Sequence, residues 1–70
     1  MLKVLDKIKV SGISAVIVKI VSDTNIEIIY NDKGYRILDN AILNNGLWKF
    51  TEDGVSGRKL KDSEYSDYEI

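Results

Sequence analysis

The chain contains neither cysteine nor histidine. It therefore forms no disulfide and offers no nitrogen or sulfur ligand to a structural zinc ion. The same absences remove the side chain most used for general acid–base catalysis and the most readily activated thiol nucleophile. No glycine-rich, phosphate-cradling loop of the Walker type is present. The carboxylates fall on expected turns and in the C-terminal part, where they read as solvated charge rather than as a catalytic pair. Asp62, Glu64, Asp67 and Glu69 lie close together but lack the spaced ligand loop with a central glycine that calcium sites use. The expectation is a chain that is not an enzyme and needs no metal or cofactor.

Long apolar runs are missing as well. Nothing approaches the ~20 apolar residues of a membrane-spanning helix, and Met1-Leu2-Lys3-Val4 is too short and too charged to open a secretory signal. A cytosolic location is expected, with no membrane contact. Internal repeats, low-complexity tracts and coiled-coil heptads are also absent.

What is present fits one small domain. A chain of 70 residues has room for a single core with a thin margin of stability. Its 44% hydrophobic content is rich in Ile, Val and Leu, enough for that core and too high for a disordered chain. Charge is unevenly placed. Residues 1–50 carry seven Lys/Arg against five Asp/Glu, a net +2, while residues 51–70 carry three against six, a net −3. A +2 body falls far short of the basic stripe that grips duplex DNA through its phosphates.

Short β-rich runs separated by turn residues read as strands. In Lys7-Ile8-Lys9-Val10 the alternation puts Ile8 and Val10 on one face and both lysines in solvent. Ser11 to Ser14 reads as a loop. Ala15 to Val21 is almost continuously apolar, as in a strand covered on both sides or bent around a small barrel, and is the candidate central strand. Ser22 to Asn25 favours a turn through local side-chain hydrogen bonds. Ile26 to Tyr30 and Tyr35 to Asp39 then form a hairpin about Asn31-Asp32-Lys33-Gly34, with positive φ expected at Gly34. Asn44-Asn45-Gly46 joins Ala41–Leu43 to Leu47–Phe50. The fold class is all-β: a five-stranded antiparallel small barrel over residues 1–50, followed by an acidic loop and tail over 51–70 that docks on it.

Asp6-Lys7-Ile8-Lys9-Val10-Ser11-Gly12, followed by the hydrophobic strand Ala15 to Ile20, resembles the opening of KOW, Tudor and other Src-homology-3-like small barrels. The resemblance extends over residues 5–50 and implies a domain that binds protein, RNA or DNA. The first loop here carries no aromatic residue, so a Tudor-like methyl-lysine cage is not implied. Of the Gly- and Lys-rich first loop typical of KOW domains, it holds only Gly12.

The aromatic residues carry the remaining functional signal. Tyr30 and Tyr35 flank the hairpin turn, with Lys33 and Arg36 beside them, and are expected to meet at one rim of the barrel. Two readings stand for Tyr30: part of a stacking or peptide-binding patch, or a continuation of the inward set Ile26 and Ile28. Trp48 and Phe50 share a face opposite Lys49 and are expected in the core. Tyr65 and Tyr68, among acids, either latch the tail onto the barrel with Leu60 and Ile70 or contact a partner. The leading expectation is a protein- or peptide-binding adaptor using Tyr30, Lys33, Tyr35 and Arg36. Alternatives are an accessory nucleic-acid binder and a small phage-type inhibitor whose acidic tail fills a basic groove of a nucleic-acid enzyme.

Overall fold

Runs of β-branched residues punctuated by residue–glycine pairs dictate a chain of hairpins. The structure, a computed structural model, describes residues 2–51 and 57–61. Its strands are β1 (Lys7–Val10), β2 (Ile13–Ser22), β3 (Asn25–Asp32), β4 (Tyr35–Asn44), β5 (Leu47–Phe50) and β6 (Arg58–Lys59). All pairings are antiparallel. The first five strands follow one another in space, and β6 lies beside β4. The architecture is all-β, a curled sheet or half-barrel. Among the described residues there is no helix, hence none long and apolar enough to cross a membrane.

Three of the hairpins turn on two residues with paired positive φ: Ser11 and Gly12 at 49° and 84°, Lys33 and Gly34 at 53° and 87°, Asn45 and Gly46 at 53° and 79°. Both central positions of a type I′ turn need that left-handed conformation, and its twist matches that of the flanking strands. Gly34 has the positive φ its place in the sequence led us to expect. The remaining hairpin turns on Asp23 and Thr24, with the Ser22 hydroxyl accepting from the Thr24 amide at 3.3 Å.

The structure differs from the sequence reading in several places; β3, for one, runs through Asn31 and Asp32, so the turn is left to Lys33 and Gly34. Because the first turn needs only Ser11 and Gly12, Ile13 and Ser14 belong to β2 rather than to a loop. Tyr35–Asp39 and Ala41–Leu43 are one continuous ten-residue strand. The middle position goes to β3, not to the apolar run of β2. Register shifts between Ile17 and Lys19 and between Ile20 and Ser22 bend β2, as bulges do by adding an unpaired residue to one strand. Pairing with β1 ends at Val16 opposite Lys7. Ile17 is still fully buried and bonds through its backbone to Leu5 and Asp6; beyond Val18 the strand runs out towards solvent, and Val21 is 55% exposed.

The bend curls the sheet over its own inner face. Val10, Ala15, Ile17, Ile26, Ile28 and Ala41 are buried there, with Leu2, Ile8, Tyr30, Trp48 and Phe50 packed against them. Trp48 and Phe50 thus take the inward positions their spacing predicted. Each fully buried isoleucine contributes roughly 1.5–3 kcal/mol. The Ser11 amide donates to the Trp48 carbonyl at 3.0 Å, bringing the end of β1 against β5. On the outer face Val16, Ile29 and Leu38 form an apolar row across β2, β3 and β4, and the first two are also buried.

A Cβ built on Gly34 meets nothing within 4 Å, so substitution there tests backbone conformation alone. Gly34→Val should lower stability by about 1 kcal/mol or more, and Gly34→Asn by less, because asparagine tolerates the left-handed region. Urea midpoints of the three proteins check this; equal midpoints would rule out the left-handed turn.

Candidate functional site

The β3–β4 hairpin positions most of the residues singled out above. Alternation along β3 sends Ile26, Ile28, Tyr30 and Asp32 to the inner face. In the register, Tyr30 stands opposite Ile37 and Asp32 opposite Tyr35. Tyr30 and Tyr35 therefore share a face as diagonal neighbours, but they do different things.

Tyr30 is half-buried and closes the edge of the core. Its ring tilts against Phe50 with centroids 5.1 Å apart. Its hydroxyl donates to the carboxylate of Asp39, which is only 8% exposed and sits on the inner face opposite Ile28. Asp39 Oδ1 also accepts from the Asn40 amide at 2.7 Å. Burial pushes the Tyr30 phenol above its ordinary value; the negative charges of Asp39 and Asp32 and the hydrogen bond to Asp39 add to the effect. All of these favour the neutral phenol over the phenolate.

Gly57 lies against this pair. A Cβ there would stand 2.8 Å from Ile37 Cγ2, 3.3 Å from Asp39 Oδ2 and 3.5 Å from the Tyr30 hydroxyl. From Gly57 the chain runs into β6, where Arg58 pairs with Leu38 and Lys59 with Ile37. The Leu60 amide then donates to the Arg36 carbonyl at 2.8 Å. Leu60 is half-buried and lines a shallow outer groove with Val18, Ile29 and Leu38.

Tyr35 stands at the rim, 54% exposed. The Lys59 ammonium lies 4.0 Å from the centroid of its ring, a cation–π contact worth about 0.5–1 kcal/mol at an exposed site. Lys33 is exposed at the hairpin tip. Arg36 pairs with Asn31 and so faces the opposite side of the sheet from Tyr35. The hairpin and β6 thus bring Lys59 over Tyr35, and the hairpin leaves Lys33 at its tip, puts Tyr30 at the core edge and separates Arg36. Tyr65, Tyr68 and Ile70, and the carboxylates of residues 62–69, lie outside the described residues. Among those described, no cluster of carboxylates could hold a metal ion.

Sequence reasoning missed Asp39 and Lys59. A signal for Asp39 exists: it interrupts the alternating inward series Tyr35, Ile37, Ala41, where a carboxylate demands a partner. For Lys59 there is none, since a two-residue strand leaves no pattern. Comparisons with family models, curated proteins and solved structures find no match to this chain.

Two outcomes follow from the Tyr30–Asp39 contact. Below pH 10.0, the ordinary phenol value, the phenol is protonated in folded and unfolded chains alike and its stabilisation is complete. As pH rises above that value the unfolded chain ionises first, so stability falls until the folded phenol also ionises. Tyr30→Phe should cost about 1–3 kcal/mol at neutral pH, by removing a hydrogen bond to a buried charge, and should flatten the alkaline decline. Gly57→Ala should destabilise by about 1–3 kcal/mol through overpacking. Denaturation midpoints at pH 7 and across the alkaline range measure both.

Proposed function

We propose that this chain is a non-enzymatic small-barrel domain that binds a segment of a protein partner at the rim of the β3–β4 hairpin. The reading rests chiefly on one observation, a half-exposed tyrosine ring with an ammonium already held 4.0 Å from its centroid. Tyrosine at such a position offers a large, stiff contact area at low entropic cost, and aromatic residues are enriched where proteins meet. Lys33 at the tip and Lys59 on the ring surround it with donors. The Src-homology-3-like resemblance of residues 5–50 supports the same reading, because those barrels bind with rims and loops and seldom catalyse. A chain without His or Cys also suits binding better than bond making. A cytosolic location accords with this role.

Capture of a partner by the wild-type chain beside Tyr35→Ala tests the reading. The captured protein should be lost with Tyr35→Ala, whose exposed ring can be removed without disturbing the core. Binding should persist as salt rises from about 50 to about 200 mM, a range over which a nucleic-acid complex with several phosphate contacts weakens by orders of magnitude. Steep salt loss together with nuclease sensitivity would replace the protein-binding reading with the nucleic-acid one.

A further inference from the structure

The β1–β5 seam holds a surface that the rim does not use. Where the Ser11 amide meets the Trp48 carbonyl, a groove of about 310 Å³ is lined by Lys9, Ser11, Gly12, Leu47, Trp48 and Lys49. A second groove of about 300 Å³, lined in part by Lys7, Ile8 and Ala15, adjoins it at Lys9. Among the described residues neither lining includes a carboxylate.

The register explains how the lysines gather here. Lys7 pairs with Val16, Lys9 with Ser14 and Lys49 with Ile42, so all three project from the outer face of two strands that the curl brings side by side. All three are exposed. Lys9 Nζ donates to the Ser14 hydroxyl at 2.7 Å, which fixes its ammonium over the groove. Among the described residues none of the three is in an ion pair, in contrast to Lys19, which faces Glu27 at 3.9 Å. Beside these charges Leu47 is 63% exposed, more than any other large hydrophobic residue described.

We infer that this seam is a second docking site, for an acidic segment of a partner protein that also carries an aliphatic or aromatic side chain. Charge complementarity selects the acids: three ammonium groups, with no ion pair among the described residues, raise the local concentration of anions and reject basic segments. Leu47 selects the apolar side chain, since an exposed leucine beside a groove gains when a partner covers it. Nucleic acid fits less well. A single strand is gripped by exposed aromatic stacking platforms along an extended basic track, whereas Trp48 is half-buried and packed against the core. The site is independent of the rim, at the other end of β4, where Asn44 pairs with Leu47.

Trp48 is the only tryptophan in the chain and lines the groove, so its fluorescence reports occupancy. The test titrates the full chain at low salt with a blocked pentapeptide of four glutamates around a central leucine. A saturable change in Trp48 emission is expected. The double variant Lys9→Glu, Lys49→Glu should weaken binding about tenfold or more, since like charges then face the acids. Leu47→Ala should weaken it while leaving the salt dependence unchanged. Lys33→Glu, at the rim, should have no effect; if it alone weakens binding, the acidic segment belongs to the rim and the seam is not a site. No emission change, or a response to oligothymidylate and not to the peptide, overturns the inference. So does concentration-dependent self-association abolished by the double variant, because the occupant would then be the acidic C-terminal stretch of a second copy. Circular dichroism of each variant confirms that the strands are retained.

Discussion

The described residues form one sheet, and a single sheet buries an apolar face by folding over itself. Everything else in this protein depends on how that is done. The bend falls in β2, where the register shifts after Ile17 and again after Ile20. Before the bend β2 serves as partner to β1, and its Ala15 and Ile17 reach the core. The extra residue Val18 of the first shift puts Ile20, in place of Lys19, in the inward phase opposite Ile26. The curl then brings Ser11 within hydrogen-bonding distance of Trp48. A straight β2 would leave Val10 and Ile28 on an open apolar sheet, which in water is an aggregating surface rather than a fold.

The length of β4 sets a second constraint. One of its edges pairs with β3, while the other is shared: Leu38 and Ile37 pair with β6, and Ala41 to Asn44 with β5. Asp39 and Asn40 fall between these two ladders. A backbone amide left without a ladder partner needs another acceptor, and Asp39 Oδ1 supplies it to Asn40 at 2.7 Å. The buried carboxylate then has a structural reason to exist, and the Tyr30 hydroxyl satisfies it further. No buried side-chain polar atom among the described residues lacks a partner. Gly57 completes the arrangement, because only a residue without a Cβ can approach Ile37 and Asp39 so closely.

The parts of this fold that were legible in the sequence are those that rest on local chemistry. Alternation in Lys7–Val10, the glycine turns at Gly34 and Gly46, and the inward spacing of Trp48 and Phe50 each follow from backbone geometry over a few residues. Less legible was whatever two distant strands decide together. Asn40 reads as a break between two strands, yet β3 pairs with β4 straight through it, Glu27 opposite Asn40. The apolar run of β2 reads as a central strand, yet its outer half is exposed because the bulges carry it past β1. At the rim, proximity in sequence put Arg36 beside Tyr35, whereas the period of two sends them to opposite faces.

Net charge misleads here for the same reason. A body of residues 1–50 with a net +2 looks too weakly charged to steer a partner, but the average hides where its acids are engaged. Asp6 Oδ2 accepts from the Lys3 amide, Glu27 faces Lys19, and Asp39 is committed to Asn40 and Tyr30. These carboxylates are held by structure on the N-terminal turn, on β3 and on β4, and none of them lines the groove where Lys9 meets Lys49. Charges of opposite sign cancel only when they lie within about a Debye length of each other, roughly 8–10 Å in physiological salt. What a partner meets is the local field of a few side chains, and the pairing of strands determines which few those are.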